Sequence, residues 1–315
     1  MADSFLLVAR QVGILFILIG IGFACNKARL LTEAAVKGLT ELVLFIVTPC
    51  VLVTAFQRGY EARLLAGLGR AFLFTAASMA LCAAAAHLLV RDNDARRASV
   101  LRFSVVFSNC GFMAIPLQKA LLGDEGVFYG AACIALFNML LWTYGLLLMG
   151  GAAGRQGVSA RKVFLNPGML GCAVGLLLFL TRVTLPGMVH KPMAMMSELN
   201  TPVPMIIIGY YLAEANLRRV ATDWRAGMVA LLRLVVMPLV ALGLFCLAGS
   251  GEPKMVMACM IAAAAPVAAA TTMFSAKFGQ DTLLSVEMVS FTTLLSILTM
   301  PLVLGLALRV FPSAF

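Results

Sequence analysis

From Phe5 to Val310 the sequence is a succession of apolar stretches separated by short polar segments. Most run roughly 17–25 residues, the length at which a helix crosses the ~30 Å hydrocarbon core of a bilayer. Lipid offers no hydrogen bonds to a backbone, so a chain built this way folds as membrane-spanning helices or a closed barrel. A barrel strand needs only about 9–11 residues, so the length selects helices. Composition agrees: 62% hydrophobic residues against 12% charged, with a mean hydropathy of +0.99, is more apolar surface than a soluble core buries. The expected fold class is an all-α membrane protein.

Ten spans can be drawn. The first five cover Phe5–Cys25, Gly38–Phe56, Leu64–Val90, Ser99–Leu121 and Gly126–Met149. A polar, Gly-rich stretch from Gly150 to Lys162 follows. The second five cover Pro167–Arg182, Pro192–Ala213, Ala226–Ala248, Pro253–Ala276 and Thr282–Val310. The expected organisation is therefore residues 1–149 as a first five-helix half, 150–163 as a cytoplasmic linker and 164–315 as a second half. Asp3 and Arg10 break the pattern of a cleavable leader, so the first span is read as retained.

The net charge of +10 has no basic run with interleaved aromatics, so nucleic acid is not an expected partner; the charges lie in short loops and suit lipid headgroups. Fourteen of the 24 Lys and Arg residues follow the odd-numbered spans, nine lie on the other side and Arg233 falls within span 8. The positive-inside rule then puts both termini outside a plasma (inner) membrane. The eight cysteines are isolated, with no metal-ligand spacing to His87 or His190, and are expected to pack as small apolar side chains. No H-E-x-x-H, G-x-S-x-G or Walker A sequence is present. An enzyme is not expected, and neither a cofactor nor a metal.

The polar anomaly lies at Ser108–Leu117, where an amide, a thiol, a glycine and a proline interrupt span 4. Proline removes an N–H and crowds the preceding turn, and glycine is the weakest ordinary helix former. Broken helices in a membrane survive inside protein or beside a water-filled cavity. Pro116 in span 4 and Pro266 in span 9 are 150 residues apart; Pro49 in span 2 and Pro202 in span 7 are 153 apart. Paired breaks at nearly one offset, with an odd number of spans per half, point to two inverted repeats with broken crossover helices 4 and 9. Half-helix N-termini at such a crossing favour an anion. Asn109, Cys110 and Pro116, with Pro266, Thr271 and Thr272, are the expected substrate-binding residues at the crossing; Thr48, Pro49, Asn200 and Thr201 flank it. Ser108 and Ser275 could add hydroxyls.

Carboxylates within a membrane mark coupling to protons or sodium. Glu287, two turns into span 10, and Glu41 are the candidates, with Lys277 a possible partner of Glu287. Arg233 snorkels, pairs structurally or meets an anion.

These residues resemble a known family. Asn109-Cys110-Gly111-Phe112-Met113-Ala114-Ile115-Pro116-Leu117 is similar to the N-x-G-F-x-G-I-P-L stretch of the auxin efflux carrier family. Asn166-Pro167-Gly168, Ala265-Pro266, Phe274–Gly279 and Thr292–Leu302 resemble its later motifs. The resemblance implies ten spans in two inverted halves, with scaffold helices 1, 2, 6 and 7 beside transport helices 3–5 and 8–10. It also implies an organic anion such as malonate, malate or an auxin-like acid, an elevator-type motion and a homodimer. The alternatives are a sodium- or proton-coupled symporter of a larger, bile-acid-like anion and a non-transporting sensor. Ala114 stands where the family usually has glycine, and span 3 lacks the membrane carboxylate of plant members.

Overall fold

The computed structural model describes residues 2–157, 159–248 and 252–312. About 85% of the chain is helix, and among the described residues extended pairing is confined to one isolated bridge. Fourteen helices suffice to describe the fold: α1 (Ala2–Lys27), α2 (Glu33–Ala55), α3 (Ala62–Leu89), α4 (Ala95–Val106), α5 (Cys110–Gly151), α6 (Ala160–Phe164) and α7 (Pro167–Thr181). They continue with α8 (Gly187–Glu198), α9 (Pro202–Glu214), α10 (Leu217–Thr222), α11 (Trp224–Leu247), α12 (Pro253–Ala264), α13 (Ala270–Lys277) and α14 (Thr282–Val310). Six of them are long and apolar enough to cross a bilayer: α1, counted from Phe5, with α2, α3, α5, α11 and α14. α7 and α12 are shorter and apolar. This is a multi-pass membrane protein.

The ten apolar stretches do not become ten unbroken helices. Span 4 is divided between α4 and the start of α5, and span 9 between α12 and α13. Span 7 is divided between α8 and α9 at Leu199–Thr201. Spans 4 and 5, separate in the sequence, run together in α5 across Gly123, whose φ of 67° and ψ of −153° are open to glycine and interrupt the helix. Much of the stretch expected as a linker is helical: the helix ending α5 runs past a non-helical Gly151 to Gly157, and α6 follows.

Prolines leave a second mark. Widened, π-type turns occupy Val43–Val47, Cys110–Ala114 and Leu232–Val236, just before Pro49, Pro116 and Pro238. A proline ring clashes with the carbonyl four residues earlier, here on Phe45, Phe112 and Leu234, and the wider turn makes room for it.

Glycine fixes the frame around these breaks. α1 and α9 touch backbone to backbone: a Cβ at Gly22 would lie 2.2 Å from the Ile206 carbonyl oxygen, and one at Gly209 2.0 Å from that of Ile19. α2 and α7 make the corresponding contact, with Gly171 against Pro49 and Gly175 against Phe56. α12 is the innermost helix, buried from Met255 to Ala262 against α3, α5 and α14. Its burial carries the second break into the middle of the protein.

Candidate functional site

α4 ends at Val106 and α12 at Ala264, and the extended segments that follow meet antiparallel, Ser108 opposite Val267. The Asn109 N–H donates to the Pro266 carbonyl at 2.7 Å, and the Ala268 N–H to the Phe107 carbonyl at 2.9 Å. The Val267 N–H donates to Thr292 Oγ1 of α14 at 3.2 Å. Two helix interruptions thus satisfy part of each other's backbone, which is what permits both inside a membrane.

The two sides of this crossing differ. On one side α5 and α13 begin, presenting helix N-termini. Asn109 caps α5: its Oδ1 accepts from the Phe112 N–H at 3.3 Å, and its carbonyl from the Met113 and Ala114 N–H groups. Asn109 is 96% buried, yet its Nδ2 has no hydrogen-bond partner. Asn109 lines a cavity of about 300 Å³, at the lower end of the roughly 300–1,000 Å³ of small-molecule pockets. The walls are mainly apolar, from Phe45 of α2, Phe112, Phe137 and Trp142 of α5, and Phe274 of α13. Met273 and Lys277 stand exposed at its rim, the Lys277 ammonium 5.4 Å from the Trp142 ring centre. Lys277 makes no ion pair among the described residues.

The cavity's amides are otherwise engaged. Asn138 Nδ2 donates to the Ile134 carbonyl at 3.0 Å. Asn166 caps α7, accepting from the Met169 N–H and donating to the Val163 carbonyl. Among the described residues, no carboxylate lines the space. Two helix N-termini, one ammonium and one unused amide donor make a site for an acceptor carrying negative charge.

On the other side α4 and α12 end, presenting carbonyls. In an unbroken helix the Val105 carbonyl would receive the N–H of residue 109, and the Ala263 carbonyl that of residue 267. Both N–H groups have gone elsewhere, to Pro266 and Thr292. Arg233, 97% buried in the widened turn of α11, takes up the two carbonyls instead: Nη1 donates to Val105 O at 3.0 Å and Nη2 to Ala263 O. Of the readings made from the sequence, structural pairing applies: the side chain is buried and its partners are two carbonyl dipoles, not an anion.

Of the residues expected from the sequence, the structure brings Thr48, Asn109 and Cys110 to the cavity. Pro266 supplies a carbonyl to the crossing, and Pro49 and Pro116 shape the turns beside it without lining the cavity. Asn200 and Thr201 lie at the break between α8 and α9, outside the cavity lining. Thr271 and Ser275 are buried with unpartnered hydroxyls on a different face of α13, because Ala270, Met273, Phe274 and Lys277 turn the cavity side. Thr272 lies outside the lining as well. Glu41 is exposed on α2. Glu287 is fully buried in α14 with both oxygens unbonded; its nearest cation is Arg219, at 3.9 Å, and not the expected Lys277. Sequence reasoning missed Asn138 and Trp142 as cavity residues, although an amide and an indole four apart in an apolar span were there to be read.

Charged loops brace one end of the helices that carry the crossing. Arg97 of α4 pairs with Asp92 and with Asp223, the cap of α11, and approaches Asp281, the cap of α14. Burial alone would raise the Asp223 pKa, but the Arg97 guanidinium and the Arg225 and Ala226 N–H groups outweigh it and hold the carboxyl below its ordinary range.

The profile of a family described as membrane transport protein matches residues 7–304, across both breaks. The chain belongs to that family, the auxin efflux carriers. No curated protein matches it. That family is one of membrane transporters.

Proposed function

We propose that this protein is a secondary transporter that moves a small organic anion, a carboxylate of the malonate, malate or auxin-like kind, across the plasma membrane. The anion binds in the 300 Å³ cavity with its carboxylate on Asn109 and the N-terminal ends of α5 and α13. The observation that carries this reading is Asn109, which lines the cavity and whose buried Nδ2 has no hydrogen-bond partner. Leaving such a donor unsatisfied costs about 1–3 kcal/mol, a cost that a bound acceptor removes. The modest volume favours a small anion over a bile-acid-like one.

Transport follows an elevator-type path in which α3–α5 and α11–α14 carry the site past a frame of α1, α2, α7 and α9. Supporting this division, α1 packs on α9 and α2 on α7 through glycine contacts, and exchanging the two halves of the sequence interchanges these pairs. That exchange, together with the paired breaks, is the basis for reading the ten spans as inverted repeats. A homodimer through the frame and extracytoplasmic termini belong to the same proposal.

The test is uptake of a labelled carboxylate panel by proteoliposomes, with and without imposed ion gradients. Wild-type protein is expected to accumulate at least one small carboxylate, and Asn109→Ala to lose uptake at least tenfold while remaining folded. Undiminished uptake by that variant contradicts the reading. One observation favours a proton-coupled form of the same activity: Glu287 is fully buried with no hydrogen bond to its carboxyl oxygens. Glu287→Gln would then abolish stimulation by a pH gradient.

A further inference from the structure

Arg233 does not line the cavity beside Asn109, yet it occupies a position where both broken helices present spare carbonyls. Half-helix C-termini carry about half a negative charge each, and in membrane transporters such ends and unwound carbonyls are where a coupling cation is held. Here the Val105 and Ala263 carbonyls, one from α4 and one from α12, converge on a single guanidinium. A second cavity, of about 40 Å³, adjoins it, and its polar lining is the hydroxyls of Thr75, Ser78 and Ser108 and the thiols of Cys82, Cys110, Cys133 and Cys259. Removing the guanidinium would leave two carbonyls without a donor, beside a space whose hydroxyls are interspersed with thiols and apolar groups; carbonyl oxygens are hard ligands of the kind a monovalent cation takes. Arginine stays protonated under any physiological condition, so its charge at this point is permanent. Its Nε makes no hydrogen bond, so the side chain is held by the two carbonyls through its terminal nitrogens.

We propose that Arg233 is a tethered cation standing where a coupling metal ion would otherwise bind, so that the crossing is assembled, and the anion bound, without sodium. The part about anion binding rests on the transport reading above; the part about the crossing does not. A proton on Glu287 remains independent of it, because that carboxylate lies on α14 and is paired with Arg219.

The test uses the purified full chain and follows thermal unfolding by the fluorescence of Trp142 and Trp224, in sodium chloride and in choline chloride at equal ionic strength. Wild-type protein is expected to melt at the same temperature in both, and Arg233→Gln to melt several degrees lower in choline and to recover part of that loss in sodium or in millimolar guanidinium. Sodium-specific stabilisation of the wild type overturns the proposal, as does a folded Arg233→Gln that responds to neither cation. If Arg233→Gln does not fold, Arg233→Lys and Arg233→Met decide: folding of the lysine variant alone supports a requirement for charge, and equal behaviour of the two overturns it. A carboxylate bound equally well in sodium and choline extends the result to the substrate, and sodium-dependent binding, tenfold or more, refutes that part. Melting requires no substrate, so failure of the transport reading would show as absent binding with the cation responses intact.

Discussion

Gly209 and Gly111 are the same residue put to opposite uses. A Cβ on Gly209 would lie 2.0 Å from the Ile19 carbonyl oxygen, in a contact between α9 and α1 where backbones touch. A Cβ on Gly111 would meet nothing within 4 Å, because this glycine lines the cavity at the helix crossing. Close-packed interiors transmit any added volume as strain, and an open cavity absorbs it. The contrast separates a frame held by backbone contact from a site held open by interrupted helices.

The largest expected effect comes from breaking the frame. Gly209→Val should cost at least about 3 kcal/mol, since backbone rather than a yielding side chain opposes it, and should appear as loss of monodisperse protein and a sharply lower melting temperature. Gly111→Leu should leave melting close to wild type while filling the cavity, so that carboxylate uptake falls tenfold or more. If both substitutions unfold the protein, the crossing is packed as tightly as the frame and the distinction fails. Lys277→Met should weaken anion binding roughly tenfold, about 1.4 kcal/mol, with no loss of folded protein, when affinity is measured by titration.

The smallest effect concerns the loops. Asp223 has a lowered pKa in the folded protein, so its stabilising contribution is present above its unfolded value of about 3.8 and is lost as pH falls through the folded one. Asp223→Asn should lower stability by about 1 kcal/mol or less at neutral pH, given the partial exposure of the pair, and should flatten the acid limb of the melting profile. An acid limb identical to wild type would remove Arg97–Asp223 from the bracing of α4 and α11.

The helical membrane class was legible in the apolar lengths alone, because a bilayer imposes them. The breaks beside Pro202 and Pro266 were legible too, since proline acts locally; at Pro49 and Pro116 the helices widen and run on. What the breaks do with their freed groups was not. Arg233 is 128 residues from Val105 and 30 from Ala263, and nothing local to it distinguishes a snorkelling side chain from one that caps two helices. Thr271 and Lys277 show the same limit on one helix: six residues apart, they leave α13 on different faces, and Thr271, the one expected at the substrate site, proved to be turned from the cavity. Asn109 was recognisable because an amide beside Gly111 and Pro116 in an apolar span is costly without a use, but its unpartnered Nδ2 required coordinates.

The central claim is that the cavity beside Asn109 binds a small carboxylate. Equilibrium binding of a carboxylate panel to purified wild type and Asn109→Ala, measured side by side, tests it most directly. The expected result is saturable binding of at least one small carboxylate to the wild type, weakened tenfold or more in the variant at unchanged melting temperature. Equal affinity in the two proteins would contradict the claim.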